Sequence, residues 1–133
     1  MSLFELFDTI RNDDLNSFKT LINTNASLIN EYLYGVTPLL YSIECKSEKI
    51  SMELCLNGLT DFELKDNVET SCLEKAIENK MYKIVEIICK NSTRKFNRNN
   101  LMDYGETVLT NSLKLDDQNV TLALLNGKFK FTI

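Results

Sequence analysis

The sequence predicts an all-α fold, a solenoid of stacked helix-turn-helix repeats. Three observations carry this expectation. Apolar residues recur at spacings of 3 and 4 in short runs, and the runs come in pairs. Landmarks in successive pairs lie 33, 34 and 36 residues apart, a periodicity that marks repeat architectures. The best-preserved pair opens on Gly35-Val36-Thr37-Pro38-Leu39, a turn that runs straight into a helix.

The first unit spans residues 1–30. Leu3, Leu6, Phe7 and Ile10 form the stripe of one helix, Arg11-Asn12-Asp13-Asp14 a tight turn, and Phe18, Leu21 and Ile22 the stripe of a second helix. Setting Leu21-Ile22 under Leu54-Cys55 gives the offset of 33. The second unit spans 31–64. Thr37 suits the N-cap, because its hydroxyl accepts a bond from a free N–H of the first turn. Pro38 then occupies the first helical position, where its missing N–H costs nothing. Leu39, Ser42 and Ile43 continue at helical spacing, and the run Ile50 to Leu56 ends at Asn57-Gly58.

The third unit spans 65–98. Ser71 stands where Thr37 stood, Cys72 replaces the proline, and Ala76 supplies a small residue that lets helices approach. Ile84-Val85-Glu86-Ile87-Ile88-Cys89 is the most apolar helix of the chain. The fourth unit spans 99–133. Gly105-Glu106-Thr107-Val108-Leu109 repeats the opening turn without its proline, Ser112 takes the small-residue position, and Val120, Leu124 and Leu125 give the last stripe. The link Asn91 to Asn100 is basic (Arg94, Lys95, Arg98) and is expected as a surface loop. One unit cannot bury its stripes alone, so neighbours must share a core. Each Leu or Ile so buried contributes about 1.5–3 kcal/mol.

In the second unit the pattern G-x-T-P-L, a short turn and a second apolar helix resembles the ankyrin repeat. The likeness extends over nearly the whole chain, but its motif is worn. Only the second unit has the full Thr-Pro-Leu, the histidine that often follows is absent, and the inter-helix glycine is replaced by Asp13, Lys46, Lys80 and Asp116. The resemblance implies an ankyrin-like solenoid with short hairpin tips. A HEAT-like stack stays open as the other helical-hairpin reading, though its repeats are longer.

The 133 residues fit a single domain, with 44% hydrophobic and 26% charged residues, an ordinary balance for a soluble protein. No apolar run approaches the roughly 18 residues of a membrane span. The start MSLFELFDTIRNDD lacks the basic-then-apolar order of a signal peptide, so a cytoplasmic protein is expected. Four cysteines without C-x-x-C spacing, in a chain with no histidine, are expected as reduced thiols and not as a zinc site. Cys55 and Cys89 hold one repeat position where a leucine is usual and read as core.

No catalytic set emerges. The commonest general base, histidine, is missing, and there is no G-x-S-x-G, phosphate loop or dinucleotide fingerprint. Asp13-Asp14 and Asp116-Asp117 are paired carboxylates, but both fall at inter-helix turns and read as solvated turn residues. The expectation is a non-enzymatic binding protein, with no cofactor and no metal.

Ankyrin-like arrays bind proteins through a concave face made of turn tips and the open side of each first helix. Carried over residue by residue, the resemblance gives the tips as Leu33, Tyr34 and Val36; Asn67, Val68 and Thr70; and Asp103, Tyr104 and Glu106. The matching helix positions are Arg11 and Asn12, Glu44 and Cys45, Glu78 and Asn79, and Lys114 and Leu115. Tyrosine at Tyr34 and Tyr104 offers a rigid amphipathic contact of the kind enriched at binding hot spots. The net charge is −4, and residues 1–89 carry 15 acidic and 8 basic side chains against 4 and 7 in residues 90–133. With Glu44 and Glu78 in line, this points to a basic protein as partner. It disfavours nucleic acid, whose phosphates an acidic body repels. A monomer is expected. Narrower readings are an inhibitor or immunity protein that neutralises a basic, nuclease-type toxin, and a viral or parasite protein that binds a host factor. The tail Lys128-Phe129-Lys130-Phe131-Thr132-Ile133 alternates strictly and suits either a cap on the last repeat or a segment that docks on a partner.

Overall fold

The computed structural model describes residues 2–91, with side chains described as far as Ile88. The fourth unit, the basic link and the tail, and with them Asp103, Tyr104, Glu106, Lys114 and Leu115, lie outside the described residues.

Within 2–91 the chain is all-helical. The helices are α1 (Leu3–Arg11), α2 (Leu15–Thr24), α3 (Pro38–Glu44), α4 (Glu48–Leu56), α5 (Cys72–Glu78) and α6 (Tyr82–Asn91), with a short 3-10 turn at Ala26–Asn30. Their starts follow local chemistry. Ser2, Asp14, Thr37 and Ser71 each accept a hydrogen bond from an N–H of the first turn. Pro38 stands at the first turn of α3. Ser71 and Glu74 make a reciprocal capping box, so Ser71 does take over the role of Thr37.

The helices pack as consecutive pairs, α1 with α2, α3 with α4 and α5 with α6. First helices touch in the order α1, α3, α5, and second helices in the order α2, α4, α6. A single apolar cluster runs through all three pairs, from Leu6, Phe7 and Ile10 through Leu40, Ile43 and Leu54 to Ile77, Ile84 and Val85. Where the first helices come close, Ser42 and Ala76 are fully buried. Ser42 donates to the Leu39 carbonyl and accepts from Ser51, so the buried hydroxyls are satisfied. Ser17 is exposed at the position that Ile50 and Ile84 occupy in the next two pairs, where both are buried. At this position the first pair is polar and the next two described pairs are apolar.

The inter-helix turns repeat one another bond for bond. Asp13, Lys46 and Lys80 all take left-handed backbone, with φ of 50°, 54° and 57°. Their N–H groups donate to Ile10, Ile43 and Ile77 at 3.0, 3.0 and 3.1 Å. The next N–H groups, of Asp14, Ser47 and Met81, donate to Thr9, Ser42 and Ala76 at 2.9 Å in each case. These two bonds satisfy carbonyls that a helix end leaves open, the arrangement that usually calls for glycine.

The paired carboxylates of the first turn require a correction, because they are not merely solvated. Asp14 caps α2 through Ser17. Asp13 Oδ1 accepts from the Ile50 N–H at 3.3 Å and so caps α4 of the next pair. Ser47, at the N-cap of α4, makes no capping bond there and instead donates its hydroxyl to the Ile10 carbonyl of α1.

Candidate functional site

The two turns that precede α3 and α5 form one edge of the stack. In the first, Leu33 N donates to Val36 O at 2.9 Å and Val36 N to Leu33 O at 3.2 Å. Tyr34 and Gly35 between them have φ of 53° and 80°. Two positive φ values inside a two-residue loop make a type I′ hairpin turn, a tip that presents the Tyr34 ring outward. Gly35 serves twice. Its φ suits glycine, and a Cβ there would lie 2.8 Å from Asn67 Cγ. That contact joins the two tips, because Asn67 N donates to Gly35 O at 3.1 Å.

The second tip lacks a glycine and is held by a carboxylate. Asp66 Oδ1 accepts from Val68 N at 3.0 Å and from Thr70 N at 2.8 Å. Asp66 N donates to Thr70 O at 3.1 Å, and Glu69 takes the left-handed position with φ of 64°. The other oxygen of Asp66 lies 2.9 Å from Lys75 Nζ, whose second partner is Glu44 Oε1 at 2.5 Å. Lys75 and Asp66 are both buried, while Glu44 reaches solvent. Burial works to raise the Asp66 carboxyl, but its bonds from Thr70, Lys75 and Val68 together hold it below its ordinary value. Burial likewise works to lower Lys75, and Glu44 and Asp66 outweigh it and leave the ammonium above its ordinary value. One cation thus ties α3, α5 and the second tip together.

The expected contact residues divide. Tyr34, Asn67 and Val68 at the tips are exposed, as are Arg11, Asn12, Glu44 and Glu78 along the first helices. Leu33, Thr70, Cys45 and Asn79 are half-buried. Val36 is only 7% exposed and belongs to the core, so it has no side-chain surface to offer. Its N–H and carbonyl are spent on the hairpin, which turns its side chain under the first tip. Arg11 is not a free cation either, because its guanidinium pairs with Asp8 at 2.5 Å. Asn79 donates to the Lys75 carbonyl at 2.8 Å and finishes α5. Glu44 is committed to Lys75, so of the two groove acids only Glu78 has no ion-pair partner among the described residues.

Cys45 sits beside Tyr41, whose ring stacks on Phe7 with centroids 4.9 Å apart. Burial pushes the Cys45 thiol up, and the nearby Glu44 adds to this, so it is not primed as a nucleophile. The Cys55 and Cys72 thiols are buried. Burial pushes Cys55 strongly up, as the core reading of that position expects. Among the described residues no group of three or more Cys, Asp or Glu could hold a metal ion. No helix among them is long and apolar enough to cross a membrane.

Asp66, Lys75 and Phe4 were missed by the sequence reading. Lys75 had a signal, a charge set among Cys72, Leu73, Ala76 and Ile77, the apolar residues of its helix. Phe4 falls off the stripe of α1, and its place beside Tyr34 follows only from the packing of α1 on α3. Comparison with protein-family models, with curated proteins and with solved structures found no match.

Proposed function

We propose that the chain is a non-enzymatic protein-interaction module, an ankyrin-type solenoid that binds a protein partner across its tips and first helices. One observation carries the reading. Three successive helix pairs share the same inter-helix turn, with Asp13, Lys46 and Lys80 in the same conformation and with the same two bonds. A scaffold with that internal repetition keeps one edge open along its length, and such edges serve as extended binding surfaces. The exposed Tyr34, Asn67, Val68, Asn12 and Glu78 lie on the elements that make this edge. A basic partner fits the excess of acidic side chains in residues 1–89.

Co-purification from the native host, followed by mass spectrometry, tests this. The wild-type chain is compared with a Tyr34→Ala, Asn67→Ala, Glu78→Lys variant. The expected result is one protein that accompanies the wild type and is lost from the variant. A turnover activity abolished by changing Glu78 would overturn the reading, as would a partner retained in full by the variant.

A further inference from the structure

Three apolar side chains stand out of the described surface on the tip edge: Phe4, Tyr34 and Val68, at 56%, 81% and 73% exposure. Single exposed apolar residues are ordinary. These three are ordered along the stack. Phe4 and Tyr34 meet edge to face with ring centroids 6.1 Å apart. Tyr34 and Val68 hold equivalent places in adjoining tips, since 68 − 34 = 34, and the tips are joined by the bond from Asn67 N to Gly35 O.

Within the short segments that carry them the charge has one sign. The segments that carry the three side chains, 2–8, 33–37 and 67–70, contain Glu5, Asp8 and Glu69 and no lysine or arginine. Asp8 is paired with Arg11, but Glu5 and Glu69 are exposed and have no ion-pair partner among the described residues. Glu44 is taken by Lys75, so the unpaired acids nearest the three side chains in sequence are Glu5 and Glu69.

We infer that Phe4, Tyr34 and Val68 form one apolar ridge that anchors a segment of another protein in which apolar residues are interleaved with lysine or arginine. This rests on the interaction-module reading and specifies its contact and its partner. The apolar side chains supply the holding energy, because burying them removes large areas from water. Glu5 and Glu69 supply selectivity and speed of encounter, because exposed ion pairs contribute little to affinity.

The test uses the full chain and synthetic peptides of about twelve residues: alternating Leu/Arg, alternating Leu/Glu, and alternating Ser/Arg. Binding is followed by isothermal titration and by backbone amide shifts in NMR. The Leu/Arg peptide is expected to bind best and to shift the amides of Phe4, Tyr34 and Val68. A Phe4→Ala, Tyr34→Ala, Val68→Ala variant should weaken it at least about tenfold, and Glu5→Lys with Glu69→Lys about threefold. All five positions are exposed, and circular dichroism checks that the variants stay helical. Equal binding of the Ser/Arg peptide, or an unchanged constant in the triple variant, overturns the ridge. Shifts confined to Asn12, Glu78 and Asn79 overturn the ridge but leave the interaction module standing. The absence of any shift with any peptide overturns the ridge alone, since host co-purification judges the module separately.

Discussion

Lys75 shows how one side chain can decide the shape of a surface it does not reach. Its ammonium is held between Asp66 and Glu44, and Asp66 in turn holds the second tip. Lys75→Ala leaves Asp66 buried without its cation, and removing one member of such a pair costs about 3 kcal/mol. A shift of the urea midpoint with an unchanged slope would register that loss. Restoring balance with Lys75→Met plus Asp66→Asn should recover part of it. The same ion pair sets a pH dependence. Asp66 is depressed, so its contribution is full above the ordinary carboxylate value of about 3.9 and fades as pH falls through its lower folded value. Lys75 is raised, so its contribution is full below the ordinary lysine value of about 10.4 and fades as pH rises beyond it. Equilibrium unfolding of wild type and Asp66→Asn across pH should therefore differ most in the neutral range and converge in strong acid. None of this was legible in the sequence as a network. Lys75 and Glu44 are 31 residues apart, and only the packing of α5 on α3 brings them together.

Among the elements, the turns carry the most information. Left-handed backbone costs a residue with a Cβ about 1–2 kcal/mol, part of which glycine gives back as extra freedom in the unfolded chain. Lys80→Gly should therefore stabilise by a few tenths to about 1 kcal/mol, seen as a raised melting temperature in calorimetry. Gly35→Ala should do the reverse, by about 2 kcal/mol, because it adds left-handed strain to a contact of 2.8 Å with Asn67. Asp13→Ala should cost about 1 kcal/mol through the lost cap on α4, and amide exchange of Ile50 should quicken. The helix starts at Thr37-Pro38 and Ser71 could be read directly, since capping is chemistry between close neighbours. The second role of Asp13 could not, because its acceptor bond crosses 37 residues to the following pair. The missing glycine at positions 13, 46 and 80 looked like a departure from the ankyrin pattern. The backbone at these positions is left-handed without glycine, and the two bonds to the preceding helix hold it there.

Taken together, the described pairs share a core in which each helix leans on its neighbour in the next pair. Leu54 is fully buried in the middle pair, and Leu54→Ala should cost about 3 kcal/mol by opening a cavity. In such an array the loss should slow refolding or lower protection in the flanking pairs as well, which hydrogen exchange can report residue by residue. The period and the apolar stripes were plain in the sequence, because the same packing position demands the same kind of residue each time. The surface was less plain, since burial of Val36 and the pairing of Glu44 depend on atoms from other units. The three matching inter-helix turns have a practical corollary. Residues 47–80 begin just after one of these turns and end within the next, so both ends meet the same joining geometry. A second copy spliced in after residue 80 should find compatible neighbours above and below. The lengthened molecule should melt as one body at a higher temperature, as a staircase gains a tread without being rebuilt.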